Sequence, residues 1–152
     1  MSKITIRPIT KEAALEVASN LRPDDLREVV EGHGVDPVES LLYAAESPSC
    51  IYFTMPNGKT AGMAGVEPDG QIWMLCTPVI HDYPIAFARE AKRYVERQPH
   101  KLLWNIVDKR NTAHLKLLKF LGFKFLRELK YGPNNLSFIE FCRVFRSRSK
   151  GC

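Results

Sequence analysis

A chain of 152 residues, 45% of them apolar, is long enough to bury one core without metal or disulfide support. Its apolar runs fall short of the roughly 18 residues a membrane span needs, and MSKITIRPIT lacks the apolar stretch of a signal peptide, so a cytoplasmic protein is expected. Cys50, Cys76, Cys142 and Cys152 have no CxxC or CxxH spacing, which speaks against a zinc site and for free thiols. The net charge of +5 is unevenly spread: residues 12–46 carry nine acids against Arg22 and Arg27, and residues 89–130 carry twelve Lys/Arg against four acids. A basic half without interleaved exposed aromatics or a recognisable binding motif is not expected to read nucleic acid.

Along the chain, Ile4, Ile6 and Ile9 alternate with Thr5 and Arg7, giving a first strand with Pro8 at an edge or strand end. Thr10 then caps a helix, KEAALEVASNL, on which Ala14, Leu15 and Ala18 share a face. RPDDLREVVEGHG reads as a second helix, opened by Pro23 and closed by Gly32 and Gly34, and DPVESLLYAAESP as a third. CIYFTM, TAGMAGV and QIWMLCTP follow as antiparallel strands, joined by turns at Asn57-Gly58 and Asp69-Gly70. After VIHDY comes the helix PIAFAREAKRYVERQ, with Pro84 in its first turn.

LLWNIV is a buried strand by its β-branched and aromatic bias. Asn111 is placed as an N-cap whose side chain takes up free helix amides. Leu115, Leu117, Leu118 and Leu121 recur at helical spacing, and Gly122 stops the helix. FKFLRELKYG and LSFIEFCRV form a last hairpin, and residues 146–152 are a basic tail expected to be disordered outside a domain of residues 1–145.

The Asn111 to Gly122-Phe123 spacing, the Cys76-Thr77-Pro78 segment and the order β, α, α, α, β, β, β, α, β, α, β, β resemble the GNAT acetyltransferases over roughly residues 3–145. The resemblance implies a single α/β (α+β) domain. Its central, mostly antiparallel mixed sheet carries helices on both faces and splays between the fourth and fifth strands. It also implies acetyl-CoA in that gap, touching Cys76, Thr77, Pro78, His81, Tyr83, Ile85 and Asn111, and an amine acceptor. The chain departs from the family in two places. Val79–Ile85 replaces the glycine-rich phosphate loop, with Asp82 adding a negative charge and Pro84 removing an amide. Leu118 stands where many members carry a proton-donating Tyr, so Tyr83 and Cys76 become the candidate catalytic substitutes, with Tyr52 and His114 behind them.

A narrower resemblance joins Leu103-Trp104-Asn105, Val107, Asn111-Thr112, His114, Leu118-Lys119, Gly122, Ile4–Pro8 and Gly62-x-x-Gly65 to a small GNAT-like family of short-tailed phages. It implies an internal virion or morphogenesis protein, present in the infected bacterial cytoplasm or the virion. Two functions are open at this point: an acetyl-CoA-dependent N-acyltransferase with an atypical phosphate loop, and a catalytically silent protein that binds a phage or host partner.

Overall fold

The alternation of apolar residues along each strand decides which helix covers which face of the sheet. The computed structural model describes residues 3–146, so the expected tail beyond Arg146, with Cys152, lies outside the described residues. The strands are β1 (Thr5–Pro8), β2 (Ile51–Thr54), β3 (Thr60–Val66), β4 (Ile72–Cys76), β5 (Leu102–Asp108), β6 (Lys124–Tyr131) and β7 (Leu136–Val144). The helices are α1 (Lys11–Ser19), α2 (Pro23–Arg27), α3 (Pro37–Ala44), α4 (Pro84–Arg97) and α5 (Thr112–Phe120). On β4, Trp73 and Leu75 pack with Val17 of α1 and Leu41 of α3, whereas Met74 and Cys76 pack with Phe87 of α4. Ile72 joins Val95 of α4 and Leu118 of α5 in a third cluster. Period-two side-chain alternation thus places α1 and α3 on one face and α4 and α5 on the other.

Two antiparallel sheets result, ordered β1-β2-β3-β4 and β5-β7-β6. A parallel bridge between Gln71 and Trp104 joins them, with the Trp104 amide donating to the Gly70 carbonyl at 3.1 Å. The Asp69-Gly70 turn therefore does more than reverse the chain. Gly70 has φ +91°, and a Cβ there would sit 2.1 Å from the Leu102 carbonyl oxygen, so only glycine lets the two sheets touch. Beyond this contact β4 and β5 part, as the GNAT resemblance implies.

Several local expectations change in the folded chain. The second helix is α-helical only to Arg27 and continues as a π turn over Glu28–Gly32, where the His33 amide bonds the Glu28 carbonyl at 2.9 Å. Packing explains the change. Gly32 lies against Phe138 and Gly132, with no room for a Cβ at either glycine, and the wider turn brings α2 down onto the β6–β7 hairpin. The third helix stops at Ala44, short of the expected Pro48, and residues 45–48 form turns. VIHDY is a 3-10 turn over Pro78–Asp82.

Candidate functional site at the β4–β5 splay

The strands part because side chains take over the bonds that a ladder would make. At the closed end, the Asn105 Nδ2 donates to the Ile72 carbonyl at 2.7 Å, while its Oδ1 accepts from Gln71 Nε2 at 3.3 Å. At the open end α2 acts as a strut. Asp25, 2% exposed, accepts from the Cys76 amide at 2.8 Å, from Asn111 Nδ2 at 2.9 Å and from Arg22 Nη1 at 2.8 Å. Glu28 accepts from the Asp108 amide at 3.2 Å. One helix thereby ties β4, β5 and the start of α5 together.

The β3–β4 ladder turns the backbone groups of Ile72, Met74 and Cys76 away from β3, toward the splay. The Ile72 carbonyl is taken by Asn105, and Cys76 is bonded at both groups, its carbonyl by the Arg22 amide at 2.9 Å. Met74 lies between them, and no hydrogen bond from the described residues reaches its N–H or C=O on that side. An extended ligand with amide groups can add here as a strand would.

Around this gap is a cavity of about 740 Å³ whose wall comes from both faces of the sheet. Met74, Phe87, Ala91, Tyr94 and Leu118 line it on the α4–α5 face. Glu28, His33, Ser47, Glu67, Trp73 and Tyr131 line it on the other. Burial is the main cause that pushes the Glu28 carboxyl from its ordinary 4.5 up to about 7, reinforced by the negative charge of Asp25 and opposed by the Asp108 amide. The Glu28 Oε2 lies 4.0 Å from His33 Nε2, and His33 Nδ1 lies 3.1 Å from the Tyr131 hydroxyl, itself partly in solvent. Burial lowers the pKa of His33, and that of His114 on the same wall. A carboxyl near neutrality can accept a proton, and the hydrogen-bonded His33 and Tyr131 lie between it and solvent.

The cofactor and catalytic candidates Cys76, Thr77, Pro78, His81, Tyr83, Ile85 and Asn111 lie beside this cavity and not on its wall. Cys76 is 2% exposed in the core with Phe53 and Phe87, and burial first, then Asp25, raises its thiol pKa well above the ordinary value. Tyr83 packs on the same cluster. Thr77 caps its own turn, bonding the Val79 amide at 3.3 Å and the Thr60 carbonyl at 3.2 Å. Pro78 opens that turn, and Ile85 is 68% exposed at the start of α4. His81 accepts from Arg22 Nε at 3.0 Å. Asn111 is corrected: its side chain makes no cap bond and turns inward to Asp25, while its Oδ1 is buried without a hydrogen-bond partner among the described residues. Of the further substitutes, His114 lines the cavity and Tyr52 packs with the α1–α3 cluster. Leu118, 3% exposed, does line the cavity and offers no proton.

Glu28, His33, Glu67, Trp73 and the Met74 backbone were not singled out from the sequence. A signal for the first was present. At helical spacing Asp25 and Glu28 fall on the same stripe as Leu21 and Val29, where an amphipathic helix places apolar residues.

An acyl-CoA fits this site in part. The thioester arm has the Met74 edge and the cavity to meet it. The diphosphate end fits poorly, because the amides of Val79, Ile80 and Tyr83 are bonded within the 3-10 turn and Pro84 has none. Among the described residues, no group of three or more His, Cys, Asp or Glu is placed to hold a metal, and no helix is long and apolar enough to cross a membrane.

Known structures place the architecture. The chain is similar to a GNAT-family acetyltransferase from Bacillus anthracis, with TM-score 0.70 and 10% identity over 95% of this chain and 96% of that one. It is also similar to YncA, a putative acetyltransferase of Salmonella typhimurium solved with acetyl-CoA, at TM-score 0.64 and 15% identity over 97% of both chains. The aminoglycoside acetyltransferase AAC(6')-Ib, solved with coenzyme A, matches at TM-score 0.64 and 16% identity over 93% of this chain and 95% of that one. No family model matches the sequence, and a comparison with curated proteins finds no match either. At these identities the likeness establishes the fold: this is a single-domain protein of the GNAT acetyltransferase fold, with its open seam between β4 and β5.

Proposed function

We propose that the protein is an acyl-CoA-dependent N-acyltransferase of low cofactor affinity, with Glu28 as the base that deprotonates the acceptor amine. The observation that carries this reading is the cavity through the splay. It brings a bare strand edge at Met74 and a buried carboxyl of pKa about 7 into one space. A bound acyl-CoA would supply the thioester carbonyl, at which a C–N bond forms as C–S breaks and the sulfur leaves with a proton from the amine. The chain's own part is orientation and proton handling. The Met74 amide and carbonyl align an extended arm, and Asn111 and Asp25 hold α2 against it. Glu28 takes the ammonium proton, and His33 and Tyr131 lead it to solvent. Leu118 leaves the departing sulfur without a side-chain donor on this wall, consistent with slow turnover.

The acceptor stays within the class of amines here. Kinship with short-tailed phage proteins, and with it a place in the infected bacterial cytoplasm or the virion, belongs to the proposal and rests on the residues quoted from the sequence. The test is thiol release from acetyl-CoA with an added amine, followed for the native chain and Glu28→Gln across pH. The reading expects activity that rises with pH through about 7 and falls by about 10²–10⁴-fold in the variant. Equal activity in both would remove Glu28 from the role.

A further inference from the structure

The two ends of the cavity differ in charge. On the α4–α5 face the lining carries one acid, Glu90, which Arg93 and Arg97 neutralise at 2.9 and 3.2 Å, beside the Tyr94 phenol and the His114 imidazole. On the α2–α3 face stand Glu28, Glu46 and Glu67, and no Lys or Arg among the described residues lies within ion-pair distance of any of them. No Lys or Arg lines any part of the described wall. Among the described residues, the other acids that are not exposed, Asp24, Asp25, Glu90, Asp108 and Glu140, each meet an Arg or Lys. Glu28 and Glu67 are held half-buried without a cation, whereas Glu46 is exposed, and a half-buried carboxylate pays a desolvation penalty that a bound cation relieves.

The aromatic groups beside them are fixed in place. Trp73 donates its indole N–H to Glu67 Oε2 at 3.0 Å, and Ser47 reaches Glu67 Oε1 at 3.5 Å. The ring lies against Gly65, where a Cβ would come within 2.7 Å of it. Trp73 therefore presents an indole coupled to a carboxylate, a pair that attracts ammonium ions by charge and by the ring quadrupole.

We propose that the α2–α3 end of the cavity is a binding site for an organic ammonium ion that carries an apolar or aromatic body and no carboxylate or phosphate. The site is the acceptor end of the transferase reading, on which the word acceptor rests, although binding itself does not depend on it. Glu67 and Trp73 hold the cation, and Glu28 stands deeper, where the amine loses its proton. The raised Glu28 pKa agrees with a carboxyl that waits for a cation in a negative surrounding of Asp25 and Asp108, with His33 and Asn111 as its other neighbours. Amino acids and phosphorylated amines are disfavoured, because their anionic groups meet three carboxylates and no Lys or Arg on the described wall.

The test uses three probes of one shape: tryptamine, tryptophan, which adds a carboxylate, and tryptophol, which replaces the ammonium by a hydroxyl. Binding to the full chain without acyl-CoA is measured by calorimetry at about pH 8, above the Glu28 pKa of about 7. Tryptamine is expected to bind at least about tenfold tighter than either of the others. Glu67→Gln keeps an acceptor for the indole N–H and removes the charge, and should weaken tryptamine at least about fivefold while leaving tryptophol unchanged. Equal binding of the three, indifference to Glu67→Gln, or no tryptamine binding at millimolar concentration by a chain with native circular dichroism would each overturn the proposal. Acetyl-CoA binding, measured separately, bears on the transferase reading alone.

Discussion

Replacing Glu28 by glutamine should change how stability depends on pH, by an amount the structure sets. The Glu28 side chain is 13% exposed, and its carboxyl binds a proton more tightly when folded, near 7, than in the unfolded chain, near 4.5. The folded state therefore gains from this group at low pH. The gain is lost as pH rises through the interval from about 4.5 to about 7, and above 7 the stability contribution is flat. At about 1.4 kcal/mol per tenfold change in proton affinity, the total is on the order of 3 kcal/mol. Glutamine keeps an oxygen for the Asp108 amide and carries no charge to desolvate. Urea unfolding at a series of pH values, read as the difference between the variant and the native chain, isolates this group. His33, whose folded pKa is lowered, acts in the opposite direction in both proteins and largely cancels. The variant should gain on the native chain by about 3 kcal/mol between pH 4.5 and 7.5. Parallel curves would mean that Glu28 ionises as an ordinary surface carboxylate, and the buried-base argument would fail.

Two further outcomes follow from the strut and the loop. Asp25→Ala strands the Arg22 charge, the Cys76 amide and Asn111 in the core, and should cost about 3–5 kcal/mol by chemical denaturation, against nearly nothing for a lone surface carboxylate. Asp82→Gly combined with Pro84→Gly restores an amide and removes a negative charge at the start of α4. Calorimetry should then give roughly threefold or tighter binding of coenzyme A, and unchanged or weaker binding in a folded variant would refute that account of the loop.

Much of the fold was legible because its signals are local. Thr10 caps α1 through the Ala13 amide, Asn57-Gly58 and Asp69-Gly70 turn where glycine is required, and Gly122 stops α5 at φ +88°. The element order carried the fold because each periodic stretch formed the element its period demands. What the sequence concealed was set by partners far along the chain. Asn111 looks like a cap, but a buried acid 86 positions away in sequence outcompetes the helix amides for its side chain. The π turn at Glu28–Gly32 depends on a close approach to Gly132, and PDDLREVVEG has no mark of it. The cavity escaped for the same reason: its wall joins the face of Trp73, the π turn and the tip of β6, which only the tertiary fold brings together.

The most direct test of the splay as the acyl-CoA site is an amide-resolved NMR titration of the isotope-labelled chain with acetyl-CoA. The account predicts saturable shifts centred on Met74, Val107 and Leu118, with Asn111 among them, and smaller changes over 78–82. Saturable shifts centred elsewhere, or none at millimolar acetyl-CoA, would contradict it.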